Sequence, residues 1–204
     1  MPPPTLLLAS ASPRRKALLS LVMQEFTTRA VALREDPHSG EMAPQYVGRI
    51  AKEKALKALE EIRPGDPDWL LTADTTVFLA NEPTRMFGKP ESENEAKEFL
   101  RHLSGKPHVV MTGFCLAHTR TPDRLWLDRL VRSTVVFRKL HEREIEAYVA
   151  TNEWRDKAGG YGIQGEGGVL VETIEGSYSN IIGLPVTEVI EGFKTLNVPG
   201  WWNP

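Results

Sequence analysis

A single cysteine, Cys115, occurs among 204 residues, so no internal disulfide can form, and nothing clusters with it as a zinc site would require. Long apolar runs are missing as well: none approaches the roughly 20 residues of a membrane span. Met1-Pro2-Pro3-Pro4 has neither the charged nor the apolar region of a signal peptide, and cytoplasmic residence is the expectation. Excess charge of either sign is small. A formal net charge of −2 removes any general electrostatic drive towards a nucleic-acid polymer or a membrane surface, so positive sites must be local. Repeats, low-complexity linkers and shifts of composition are also absent. The chain is long enough to bury a substantial core and reads as one domain over residues 1–204.

What is present is an alternation of apolar strands and helices, which predicts an α/β fold with a mixed, helix-covered sheet. Thr5 to Ala9 reads as a first strand and Thr27 to Leu33 as a second, on which Arg29 has no comparable partner in the sequence. Arg14 to Leu21 reads as a helix between them. A longer helix, Gln45 to Ile62, is opened by Pro44 and stopped by Pro64-Gly65, with Val47, Ile50, Ala51, Lys54, Ala55 and Ala58 on or near one face. Trp69 to Ala73 is a buried strand continued by Asp74-Thr75-Thr76 and Val77-Phe78-Leu79 to a turn at Asn81-Glu82-Pro83. The helix Ser92 to Leu103 begins with a capping box, Ser92 and Glu95. His108 to Ala117 and Leu125 to Phe137 pair as a hairpin. His141 to Ala150 is a short helix, Val169 to Ile174 a strand, and Gly183-Leu184-Pro185 leads into the last helix.

The start of the chain carries the first chemical signal. Leu6-Leu7-Leu8-Ala9 breaks into Ser10-Ala11-Ser12-Pro13 and two arginines. Ser12 is a good N-cap and Pro13 suits the first helical position, so backbone N–H groups gather beside Arg14 and Arg15 where a strand ends. That combination makes an anion site, most naturally for phosphate, although an ordinary capped surface helix has the same sequence. Asp74, after small and apolar neighbours, sits where a strand leaves the core, which suits a general base or a metal ligand; closing a turn is the plainer alternative. Glu35 offers a second carboxylate for a Mg²⁺ site or simply a solvated loop. Lys54 points along an apolar stripe, where a snorkelling lysine would also sit. Lys89 is aimed by rigid neighbours, Gly88 and Pro90, as a phosphate contact or a surface lysine. From Asp156 to Gly168 the glycines imply unusual dihedrals or close ligand approach, with Tyr161 and Gln164 as recognition-capable side chains. Gln164 carries both a donor and an acceptor, and so can read the O4 and N3–H edge of uracil or thymine.

Several motifs in order along nearly the whole chain resemble the Maf family of nucleoside triphosphate pyrophosphatases, once called septum formation proteins. They are Ala9-Ser10-Ala11-Ser12-Pro13-Arg14-Arg15, Ala73-Asp74-Thr75, Gly88-Lys89-Pro90, Leu103-Ser104-Gly105, Thr112-Gly113, Asp156 to Gly165 and Gly183-Leu184-Pro185. Tyr161-Gly162-Ile163-Gln164-Gly165 is similar to the dTTP/UTP branch rather than the 7-methyl-GTP branch. One departure is Trp154-Arg155, where relatives often carry a small residue or proline. The resemblance implies an elongated, two-lobed α/β fold with a central cleft, related to the inosine-triphosphate pyrophosphatases. It implies a divalent cation, Mg²⁺ or Mn²⁺, and Asp74 as proton acceptor. Arg14, Thr75 and Gln164 match the family's specificity positions; Glu35, Lys54 and Lys89 match charged positions around the phosphates. The expected substrate-binding set is therefore Ser10, Ser12, Arg14, Arg15, Lys54, Thr75, Lys89, Lys157 and Gln164, with Glu35 and Asp74 on the metal. The expected reaction is hydrolysis of a nucleoside triphosphate, dTTP or UTP, to monophosphate and pyrophosphate. A 7-methyl-GTP or inosine-triphosphate enzyme, or a non-catalytic nucleotide sensor linked to cell division, stays open as an alternative. The oligomeric state also stays open, a homodimer included.

Overall fold

The computed structural model describes residues 5–123 and 126–202; Met1 to Pro4, read above for a signal peptide, and Leu125, read as a strand start, lie outside them. Among the described residues seven strands form one mixed sheet in the order β2-β1-β3-β5-β6-β7, with β4 pairing β3 off this path. The strands are β1 (Leu6–Leu8), β2 (Thr27–Thr28), β3 (Trp69–Leu79), β4 (Glu82–Phe87), β5 (Pro107–His118), β6 (Trp126–Phe137) and β7 (Val171–Glu175). The helices are α1 (Pro13–Ser20), α2 (Ala43–Glu60), α3 (Glu93–Leu103), α4 (Glu142–Ala150), α5 (Tyr178–Ile182) and α6 (Val186–Leu196). No helix among the described residues is long and apolar enough to cross a membrane.

β1 is parallel to both neighbours, and its three leucines are buried, as a strand covered on both faces requires. β2 is much shorter than the expected Thr27 to Leu33. Its ladder ends at Thr28 opposite Leu8, because β1 there turns away into the Ser10–Ser12 loop and leaves the following residues no strand to pair with. Arg29 also departs from expectation. Its guanidinium bonds both oxygens of Asp66, at 2.6 and 2.9 Å, a partner brought alongside by the turn that follows α2. The turn expected at Asn81-Glu82-Pro83 opens a strand that the sequence reading lacks: Glu82–Phe87 is the returning arm of a hairpin against β3. Pro83 fits there because an edge strand tolerates a missing N–H. α2 begins at Ala43, two residues earlier than expected, with the Met42 N–H donating to the Gln45 side chain at 3.2 Å.

The apolar core is split in two on both faces of the sheet. On one face Leu71 and Ala73 of β3 pack with α1 and α6, whereas Val77 and Leu79 pack with α3 and α4. On the other face Leu70 belongs to one cluster beneath α2 and Phe78 to another. Between them lie Thr72, Asp74, Thr75 and Thr76. A polar stretch inside a central strand therefore divides the molecule into two lobes, as the sequence led us to expect. Cys115 is buried beneath α2, and burial pushes its thiol up to about 12.

His108 lies inside the second lobe, where its Nε2 is 3.0 Å from the Tyr161 hydroxyl and its ring packs edge-on against Phe137 and Tyr161. Burial pushes its imidazolium down to about 4 from an ordinary 6.5. Between those two values the unfolded chain binds a proton that the folded protein excludes. Stability is therefore complete above pH 6.5 and falls as the pH drops towards 4. The expected loss between pH 7 and pH 5 is about 2 kcal/mol by urea unfolding. His108→Gln, which cannot titrate, should show a clearly smaller difference between the two pH values; an equal difference would remove His108 as the cause.

Candidate active site

β3 has a gap along one edge. β1 accompanies it only as far as Leu71, opposite Leu8, and β4 joins only at Val77, opposite Phe87. Between these points Thr72 to Thr76 pair with β5 alone, in a ladder from Cys115 to Met111. A cleft of about 1260 Å³ opens at the gap. Every residue named for the site from the sequence lines it: Ser10, Ser12, Arg14, Arg15, Glu35, Lys54, Asp74, Thr75, Lys89, Lys157 and Gln164. Strand alternation turns Thr72 and Asp74 towards α2 and Thr75 towards α1. Thr72 accordingly donates to the Ala51 carbonyl at 2.8 Å, while Thr75 Oγ1 accepts from Arg15 at 3.1 Å.

Asp74 is 6% exposed, and Lys54, 9% exposed, reaches it from α2 at 2.8 Å. The same ammonium lies 2.8 Å from Glu35. Lys54 is thus not a snorkelling lysine. It holds two carboxylates within twice that distance of each other, and each compensates its charge. Tyr46, which sequence reasoning missed, stands on the same face of α2 two turns earlier. Its hydroxyl donates to the Glu35 carbonyl at 3.1 Å, and burial, reinforced by the charges of Asp74 and Glu35, pushes the phenol above its usual range. The spacing Tyr46, Ile50, Lys54 was the available signal. Two hard carboxylates facing a cleft fit a small oxygen-seeking dication that fills its shell with water and phosphate. Among the described residues no cluster of three or more His, Cys, Asp or Glu forms a closed protein cage.

The serine–arginine turn is arranged around Arg15. Ser12 caps α1 by accepting from the Arg15 N–H at 3.4 Å, and Ser10 Oγ accepts from the Ser12 N–H at 3.2 Å. The Arg15 guanidinium donates to the Gly183 carbonyl at 2.8 Å, to Thr75 Oγ1 at 3.1 Å and to Ser10 Oγ at 3.4 Å. Burial lowers its pKa, with Asp74 opposing. Thr75 is fixed in turn by Thr112, 2.9 Å away, whose hydroxyl donates to the Asn180 carbonyl at 3.1 Å. Arg14 behaves differently. It donates to the Asp156 carbonyl at 3.1 Å, joining the serine–arginine turn to the glycine-rich segment on the other wall of the cleft.

The glycine-rich wall has a mixed outcome. Gly159 and Gly160 adopt left-handed backbone, φ +75° and +69°, as expected of glycine. Gly162, Gly165 and Gly167 are glycines of close approach within the protein, to Glu153 and Tyr148. Tyr161 borders the cleft but is 6% exposed; its hydroxyl bonds His108 and its ring meets Phe137 edge-on, so most of the side chain belongs to the core of the second lobe. Gln164 and Lys89 are exposed on the cleft wall, and Lys89 has no ion-pair partner among the described residues. The Lys157 ammonium is turned onto the carbonyls of Glu153 and Arg155, and burial lowers its pKa.

Comparison with known proteins gives the family. The Maf family, described as Maf-like protein, matches residues 5–196. A relative named dTTP/UTP pyrophosphatase, from Myxococcus xanthus, is 45% identical over 97% of this chain and 95% of its own length. One of the same name from a Shewanella species is 48% identical over 91% of this chain and 95% of its own. A third, from Syntrophus aciditrophicus, is 43% identical over 94% and 89%. A solved structure of a nucleoside-triphosphatase / dITP/XTP pyrophosphatase from Mycobacterium abscessus overlaps more loosely. Its TM-score is 0.39, at 14% identity over 66% of this chain and 74% of that one. A family match over nearly all of the chain, and relatives this similar along their whole length, establish that the chain belongs to the Maf-like protein family.

Proposed function

We propose that this protein hydrolyses dTTP and UTP to the nucleoside monophosphate and pyrophosphate, using Mg²⁺ or Mn²⁺. Cytoplasmic residence, a single domain over residues 1–204 and a free nucleotide rather than a polymer as partner belong to the same reading. The names of its relatives support the substrate class. The observation that carries the chemistry is Asp74, buried at the strand gap against Lys54 and beside Glu35.

In this reading the triphosphate lies along the wall formed by Arg14, Arg15, Lys54 and Lys89. Arg15 is held at three points before substrate arrives, so its charge is placed without reorganisation. Asp74 accepts a proton from water as the water oxygen attacks the α-phosphorus; the bond from that phosphorus to the bridging oxygen breaks and pyrophosphate leaves with the electron pair. A dication held by Asp74 and Glu35 would neutralise phosphate charge. Gln164, exposed on the opposite wall, reads the base edge.

Assay of a panel of common and modified nucleoside triphosphates for pyrophosphate release, with each metal, tests the whole reading. No release from dTTP or UTP would overturn it. Asp74→Asn keeps size and hydrogen bonding but cannot take up a proton at neutral pH. It should lower kcat at least a hundredfold, about 2.7 kcal/mol of barrier, with triphosphate binding largely intact. Retention of a tenth of kcat would exclude Asp74 as the base.

Arg15→Lys keeps a charge but loses the planar fork. A ten- to hundredfold fall in kcat/KM is expected, roughly 1.5–3 kcal/mol. Lys16→Ala, on the exposed side of α1, should stay within about twofold of wild type by the same assay. Equal losses in the two variants would refute the anion wall.

Gln164→Glu presents only acceptors to O4 of uracil, whereas cytosine carries a donor amine there. The ratio of kcat/KM for CTP to that for UTP should rise about tenfold or more. A parallel fall on both substrates would assign Gln164 to loop support instead.

A further inference from the structure

The loop that carries Gln164 is built around a carboxylate from another segment of the same cleft wall. Glu153, in the turn after α4, accepts the Glu166 N–H on Oε2 at 2.7 Å and the Gly167 N–H on Oε1 at 3.1 Å. Oε1 also accepts the Tyr148 hydroxyl at 3.2 Å, and that hydroxyl accepts the Gly162 N–H at 3.1 Å. Both feet of the loop are therefore tied to one carboxylate, directly at residues 166–167 and through Tyr148 at Gly162. Gln164 stands between the feet.

The fit leaves no room for side chains at the contact. A Cβ on Gly162 would lie 2.6 Å from Glu153 Oε1, one on Gly165 would collide with Oε2, and one on Gly167 would come within 2.9 Å of the Tyr148 hydroxyl. Ile163, beside Gln164, packs against the cores of both lobes and anchors the loop's other side. An ionised acceptor makes stronger and shorter bonds to backbone N–H groups than a neutral one, so the carboxylate is well suited to hold a loop that has little side-chain packing of its own.

We propose that Glu153, acting with Tyr148, is a positioning residue for base selection, holding the Gly162–Gly167 loop so that Gln164 meets the base in one orientation. This rests on the reading of Gln164 as the side chain that faces the base. Glu153→Gln exchanges one acceptor oxygen for an amide that cannot accept, at nearly constant volume. Two measurements on the full-length protein test it: amide hydrogen exchange at Glu166 and Gly167, and the ratio of kcat/KM for UTP to that for CTP. Exchange at those amides should quicken about tenfold or more while amides around Lys54 are unchanged, and the UTP preference should fall about fivefold or more, chiefly through KM. Tyr148→Phe releases only the Gly162 foot and should move the preference in the same direction by a smaller factor. If Glu153→Gln does not fold, Tyr148→Phe decides alone: a threefold or greater loss of preference supports the proposal and no loss overturns it. Unchanged loop amides, or UTP preference within about twofold of wild type, also overturn it. A wild-type protein that does not distinguish UTP from CTP refutes the reading of the site itself, and with it the proposal.

Discussion

A strand buried in the middle of a sheet needs hydrogen-bonding neighbours on both edges, and β3 lacks one of them for five residues, Thr72 to Thr76. Everything at the site follows from that interruption. Because β1 ends at Leu8, its chain is free to turn into the serine–arginine loop at the gap, and because β4 starts later, the glycine-rich segment has space to approach from the other side. The Gly159 N–H reaches the Gly88 carbonyl at 3.0 Å just beyond β4, which ties this segment to the far border of the gap. The same interruption separates the two apolar lobes, since no large hydrophobic side chain of β3 falls within it.

An apolar gap would close by collapse. This one is kept open by charge, because Asp74 and Lys54 are both buried and each would be costly without the other; loss of one partner of such a pair typically costs about 3–5 kcal/mol. Glu35 adds a second acceptor to Lys54 from a segment that runs past the end of the β1 ladder. The early end of β2 and the position of Glu35 are thus one fact: a segment that stayed paired to β1 would have had no reason to reach the cleft.

Much of this was legible in the sequence for a simple reason. Asp74 interrupts a run of buried residues, and an ionisable group in such a place needs a purpose; Ser12 and Pro13 have strong local preferences; the glycines of the late segment exceed what a strand tolerates. Features that depend on distant parts of the chain were not legible. Arg29 looks solitary until the turn after α2 delivers Asp66, and nothing near Tyr161 in the chain announces the His108 that holds its hydroxyl. Glu153 sits in an ordinary polar turn and gains its meaning only from backbone N–H groups thirteen and fourteen residues later. The glycines pointed to a close approach, but sequence could not say that the approaching group would be the protein's own carboxylate. β4 was hidden by Pro83, which counts against a central strand but not against an edge.

The two walls of the cleft have separate moorings. Arg15 is held by Ser10, Thr75 and Gly183, whereas the loop around Gln164 is held by Glu153 and Tyr148. Arg14, through the Asp156 carbonyl, is a direct hydrogen bond between them. Apart from that bond the moorings are distinct. If Gln164 selects the base as proposed, a substitution that shifts its loop changes which nucleotide is accepted and leaves Arg15, Lys54 and Asp74 in place, so that preference and turnover would vary independently along a lineage.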